Sequence, residues 1–202
     1  MMFITFEGID GSGKSTQIGL LADELRKKNK SVVCLREPGS TIASEQIRRL
    51  LLDVSSQILP TTEVMLFCAA RAQVTSEVIV PELAKGSVVI CDRYIDSTVA
   101  YQGYGRNVNI EAIHTANAFA TNSLYPDLTF YLDVSPELAQ SRTISREKDR
   151  LELENISFFE KVRNGYLTLC KDNAERIKLL DSNLTLEEMH EKILSFVNEK
   201  MN

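Results

Sequence analysis

No two of the four cysteines form a Cys-x-x-Cys pair. Cys34, Cys68, Cys91 and Cys170 are scattered, and three of them lie within apolar runs. That is the setting of buried thiols in a reducing compartment, not of a disulfide framework. Surplus positive charge is missing too: 23 Lys+Arg stand against 28 Asp+Glu, a net charge of −5. This argues against a sequence-independent nucleic-acid binder, which needs a basic surface, but leaves room for a local positive pocket. The start of the chain has no basic segment followed by a long apolar one, so no secretory signal is read there. No apolar run approaches membrane-spanning length. The expectation is a cytoplasmic protein with neither nucleic-acid nor membrane partners. Repeats, low-complexity stretches and linkers are also lacking, and 202 residues suit one domain, 1–202.

What is present is organised around Gly8-Ile9-Asp10-Gly11-Ser12-Gly13-Lys14-Ser15, which fits G-x-x-x-x-G-K-[S/T]. Met2 to Phe6 reads as a short buried strand before it. After it, Ile18, Leu21, Ala22 and Leu25 fall at i, i+3, i+4, i+7 on one face of a helix. Strand, glycine turn and helix start make an anion cradle, with backbone N–H groups turned inward and the helix dipole behind them. Lys14 is placed to reach terminal phosphates and Ser15 to ligate Mg²⁺. A glycine turn that binds nothing is the alternative, and the strand before and the helix after argue against it.

The rest of the chain alternates strands and helices, the pattern of an α/β fold with a mainly parallel sheet. Strands are expected at Ser31 to Leu35, Ser87 to Cys91, Leu128 to Val134 and Arg176 to Asp181, making five with the first. Ile47, Leu50, Leu51 and Val54 mark one helix; another opens at Pro60 and runs to Pro81. Phe67 and Arg71 share one side of the latter, either to hold a planar base or as core packing with a snorkelling arginine. Arg36-Glu37-Pro38-Gly39 ends the second strand where such sheets bind ligands. Asp92-Arg93-Tyr94 ends the third, offering a Mg²⁺ carboxylate and a phosphate-binding arginine. His114 reads as a surface or packing residue. Ser135-Pro136-Glu137 starts a helix that runs into the charge-dense 142–150 segment, either a solvated excursion or a mobile lid. Thr185 to Glu188 is a capping box for the last helix.

These motifs, in this order, resemble the thymidylate kinase family nearly end to end. The resemblance rests on Phe6 to Thr16, Arg36 to Gly39, Leu66 to Arg71, Asp92-Arg93-Tyr94 with Ser97-Thr98, Ala100 to Gly103, and Pro126 to Asp133. It implies a P-loop NTPase fold with a five-stranded parallel sheet flanked by helices and a small lid at about 142–155. It also implies transfer of the γ-phosphoryl group of ATP to dTMP, with Mg²⁺, in a homodimer. Gly8 to Thr16 and Arg142 would bind ATP; Ser15 and Asp92 would hold the metal. Asp10 would contact the dTMP sugar or the phosphate cluster, and Arg36 and Arg93 its phosphate. Phe67 would stack on thymine, Arg71 would bond its carbonyl edge, and Thr98 and Gln102 would lie near the base. Tyr101 would sit under the sugar and disfavour a 2′-hydroxyl. Lys14 and Arg93 would be catalytic. The loop lacks the arginine that some members carry, since Gly11 and Ser12 stand there, so Arg146 of the lid is the expected substitute, with Arg142 and Arg150 as competitors. Ser40 stands where the family often has a second glycine. A GTPase switch would need N-K-x-D, which is absent. A deoxynucleoside kinase would want a carboxylate base rather than Arg36, Arg71 and Arg93 together.

Overall fold

The structure, a computed structural model, describes residues 1–144 and 147–201. Strands β1 (Met2–Glu7), β2 (Val32–Arg36), β3 (Val88–Asp92), β4 (Leu128–Asp133) and β5 (Ile177–Asp181) form one parallel sheet in the order β2-β3-β1-β4-β5. Helices α1 (Lys14–Lys27), α2 (Ile42–Leu52), α3 (Pro60–Val74), α4 (Val80–Ala84), α5 (Ile95–Thr98), α6 (Ile110–Thr121), α7 (Pro136–Arg142), α8 (Ile156–Asp172) and α9 (Leu186–Met201) connect and cover the strands.

Burial follows position in the sheet. The inner strands β1, β3 and β4 are apolar almost throughout because both of their faces are covered, whereas the edge strands β2 and β5 include exposed residues. On one face, Leu21 and Leu25 of α1 and Ile193 and Val197 of α9 pack on Ile4, Phe6, Ile90 and Phe130. On the other, Phe3, Val89 and Cys91 meet Val74, Ile79, Tyr94 and Ile95. The face expected for α1 is the buried one; of the residues expected to mark α2, Leu50 and Val54 are exposed and Leu51 is fully buried.

Two π-helical turns depart from the sequence reading. The first, Thr75–Ile79, joins α3 to α4, so the helix continues through Pro81 rather than ending there. Val80 N–H bonds to Thr75 O, five residues back. The wider turn moves the preceding carbonyls off the α-helical path, where the proline ring would strike one of them. By length and composition alone the resulting 25-residue run Pro60–Ala84 is long and apolar enough to cross a bilayer, contrary to the expectation that no run approaches that length. Here it packs on the sheet, with Glu63 and Arg71 buried in ion pairs. The second π-turn, Val99–Gly105, extends α5 and packs against α8.

Candidate active site

β1 delivers the phosphate loop at the carboxyl end of the sheet, where open α/β folds place ligands. Gly8 and Gly11 have φ of +139° and +85°. A Cβ on Gly8 would stand 2.7 Å from Leu132 O, and one on Gly11 2.6 Å from Ala139 O. Only glycine meets both demands, and the loop can therefore curl tightly over the start of α1. Ile9 and Ser12 are buried within it, while Gly13, Ser15 and Thr16 are open to solvent. Lys14 Nζ folds over the loop, donating to Gly8 O at 2.9 Å and Ile9 O at 3.1 Å, 4.0 Å from Asp10 Oδ1. Burial, and then the charge of Arg93, lower the Lys14 pKa against the pull of Asp10, Asp92 and Glu7. Such an ammonium gains strongly from an arriving polyphosphate. Arg142 clasps the loop from outside, donating to Gly11 O at 3.1 Å and Ser182 O at 3.3 Å.

β3 brings Asp92 beside the loop. Ser15 Oγ donates to Asp92 Oδ2 at 3.3 Å, and Asp92 Oδ1 is buried without a partner among the described residues. A hydroxyl next to a carboxylate with an unsatisfied oxygen fits Mg²⁺, which takes one or two protein ligands and fills its shell with phosphate and water. Arg93 follows at φ +72°, a conformation unusual for a non-glycine residue. Its guanidinium lies 5.1 Å above the Tyr101 ring and 3.3 Å from Asp10 Oδ1. Glu7, at the end of β1, holds this turn. It accepts from Tyr94 N–H at 2.7 Å, Ser97 Oγ at 2.5 Å and Tyr166 Oη at 2.9 Å. Burial, then the charge of Asp96, push its carboxyl up to about 7.

A cavity of about 310 Å³ opens beside Arg93. Thr98, Tyr101 and Gln102 line it from α5 and the following π-turn, which sets Thr98 and Gln102 in line. Phe67 lines it from α3; Asp10 joins it to the phosphate loop; Asp149, Leu151 and Glu152 cover it from the lid side. Arg71 does not line the cavity. It is 1% exposed and lies behind the wall, donating from Nε to Glu37 (2.7 Å), from Nη1 to Thr98 (2.8 Å) and Asn117 (2.7 Å), and from Nη2 to Tyr94 O (3.0 Å). Of the five N–H donors of a guanidinium, four are used among the described residues, leaving one on Nη2. Burial alone would lower the Arg71 pKa; Glu37 reverses this and holds it above the ordinary value.

Arg36, expected at the acceptor phosphate, is placed outside the cavity. It is 55% exposed and bonds Glu45 at 2.9 and 3.1 Å. Arg48 of α2 lines the cavity instead, anchored by donation to Pro38 O at 2.9 Å. The two arginines differ in context: one ends an edge strand, the other rides α2, which packs on α3 and is tied by Arg48 to Pro38 O just past that strand. Ser40 keeps a glycine-like φ of +71°, and its Oγ accepts from Arg36 N–H at 2.9 Å. Arg146 lies outside the described residues. Arg150 is already engaged, donating to Leu51 O at 2.9 Å and to buried Glu63 at 2.6 Å. His114 is exposed, as expected.

The thymidylate kinase family profile matches residues 6–193. A thymidylate kinase of Thermosipho africanus is 46% identical over 200 residues, covering 99% of each chain. One of Kosmotoga olearia is 45% identical over 194 residues, covering 96% of this chain and 93% of that one. The crystal structure of thymidylate kinase from Ehrlichia chaffeensis superposes with a TM-score of 0.79 at 36% identity, covering 97% of this chain and 98% of that one. With a phosphate loop, a carboxylate-arginine strand end and a covered cavity in one continuous site, and with likeness running the length of the chain, this protein belongs to the thymidylate kinase family, in the P-loop NTPase fold.

Proposed function

We propose that the protein transfers the γ-phosphoryl group of ATP to dTMP, giving dTDP and ADP. The observation that carries this reading is the junction between loop and cavity, where Asp10 and Arg93 stand 3.3 Å apart and both line the cavity. A donor phosphate on the loop and an acceptor phosphate in the cavity would meet there.

Lys14 and Arg93 neutralise the transferring group. Arg93 and Arg48 hold the acceptor phosphate, Phe67 stacks on the base, and Thr98 and Gln102 face it. Arg71 supports that wall and offers its remaining N–H. Tyr101 fills the space under the sugar. Ser15 and Asp92 would hold Mg²⁺, which would supply charge neutralisation to the transferring phosphate. The acceptor is already anionic, so positioning and charge neutralisation suffice and no strong base is required. Gly8 to Thr16 and Arg142 bind ATP. Residues 1–202 act as one domain with a lid at about 142–155, and Arg146 is assigned to the transition state by its position in that lid, with Arg142 and Arg150 as competitors. A homodimer is supported by Ile42, Met65 and Phe119, exposed on the neighbouring helices α2, α3 and α6.

Coupled measurement of ADP release tests the reading. Turnover is expected with dTMP and Mg²⁺, and neither with thymidine, with no acceptor, nor after chelation by EDTA. Equal turnover with thymidine and dTMP overturns it.

A further inference from the structure

Glu63 sits in the first turn of α3, where a carboxylate is usually a solvated complement to the helix dipole. Here it is fully buried. Its two oxygens serve different parts of the molecule. Oε1 accepts from Gln102 Nε2 at 2.8 Å and from Arg106 Nε at 3.3 Å. Oε2 accepts from Arg150 Nη2 at 2.6 Å. Gln102 lines the cavity; Arg150 belongs to the covering segment and does not line it. Arg106 closes the network by donating to Glu154 at 2.6 Å while lying 4.8 Å above the Phe158 ring.

A carboxylate accepts hydrogen bonds and does not donate them. The Gln102 amide must therefore turn its nitrogen to Glu63 and its oxygen away. Among the described residues nothing donates to that oxygen, so it is the acceptor that Gln102 offers to the cavity it lines. A flipped amide would set oxygen against oxygen at the distance now held by the hydrogen bond. An acceptor on this wall suits a pyrimidine with a ring N–H, as in the keto bases, and opposes cytosine, whose ring nitrogen is itself an acceptor. Leaving a buried acceptor unpaired is what makes such a site discriminate.

Arg150 connects this choice to the lid. Its backbone N–H and Nε reach Leu52 O and Leu51 O at the end of α2, at 3.1 and 2.9 Å. The Arg150 guanidinium thus pins the covering segment to the same carboxylate that orients Gln102.

Resting on the dTMP reading, we infer that Glu63 is a positioning residue for base recognition, one oxygen setting the Gln102 amide so that the cavity accepts from a ring N–H and the other tying that setting to the docked lid segment through Arg150. Glu63 does not touch the substrate in this arrangement and acts through Gln102.

The test is the ratio of Kd values for dCMP and dTMP, measured by calorimetry on the whole chain and on Glu63→Gln, Arg150→Met and the double variant, with thermal melts confirming folding. Glu63→Gln frees the Gln102 amide to flip and is expected to shrink the ratio at least about tenfold, the size of one misplaced hydrogen bond. Arg150→Met is expected to move the ratio in the same direction by a few-fold. The double variant should be no worse than Glu63→Gln alone, because both act through one carboxylate. A purely structural staple would lower the melting temperature and weaken both ligands in proportion. An unchanged ratio in folded Glu63→Gln overturns the inference, and if that variant does not fold, an unchanged ratio in Arg150→Met does so. Failure of the unmodified protein to prefer dTMP would instead overturn the substrate assignment itself.

Discussion

Lys14 is buried, partnered among the described residues by two carbonyl oxygens and a carboxylate 4.0 Å away, and its pKa is lowered by burial. Its place in the loop leaves transferring phosphate as its natural counter-charge. Lys14→Ala is expected to lower kcat at least about 100-fold, the scale of losing one preorganised stabiliser of transition-state charge. Circular dichroism should show an intact fold; near-normal turnover by the folded variant would remove Lys14 from the chemistry.

Glu7 makes a pH prediction at the same scale. Its carboxyl is raised from an ordinary 4.5 to about 7, so the folded state binds that proton more tightly than the unfolded state. The stabilising contribution is complete below about pH 4.5 and is lost as pH rises through about 7. Relative to Glu7→Gln, which cannot ionise, the unmodified protein should lose about 2–3 kcal/mol across that window. Urea midpoints at pH 5 and pH 8 check this, and parallel changes in the two proteins would contradict it.

Among elements, α8 shows how a cap and a face cooperate. Asn155 accepts from Phe158 N–H at 2.9 Å, satisfying one of the unbonded groups of the first turn. The helix then buries Phe158, Phe159, Val162, Tyr166 and Leu169, and Phe159 reaches the cavity. Asn155→Ala is expected to cost about 1 kcal/mol in chemical denaturation with an unchanged m-value. The two π-turns matter more to the site than any one cap. The turn after Val74 lets α3 pass Pro81, and the turn after Thr98 presents Thr98, Tyr101 and Gln102 to one cavity.

Across the whole molecule, the C-terminal ends of β1 and β3 converge: Phe6 pairs with Asp92, and Arg93 N–H donates to Phe6 O at 2.9 Å. The face formed by α2, α3 and α6 is a different surface, and it carries the association prediction. Phe119 of α6 is 89% exposed, Ile42 of α2 83% and Met65 of α3 60%, and α3 packs against both of the other helices. Exposed apolar side chains on three packed helices suit an interaction surface, and a symmetric dimer would cover them on both subunits. Sedimentation should give a dimer for the unmodified chain and a monomer for Phe119→Glu. A monomer in both cases would leave the cluster without that role.

The chain by itself determined the phosphate loop, the five strand positions to within a residue or so, and the order of the motifs at their ends. These are local properties: glycine spacing sets the loop, and unbroken apolar runs mark strands covered on both faces. Tertiary structure decided which charged side chains reach the cavity. Arg36 and Arg48 are both near the end of β2, but only the packing of α2 brings Arg48 to the site. Arg71 shares a helix side with Phe67, yet its depth in the core turns it toward Glu37, Thr98 and Asn117. Glu63 reads in sequence as an ordinary first-turn acid and becomes a buried hub only because Gln102, Arg106 and Arg150 arrive from 39, 43 and 87 residues away. Spacing along a chain cannot encode which distant partner meets a charge; the desolvation that accompanies folding does, by requiring each buried charge to find one.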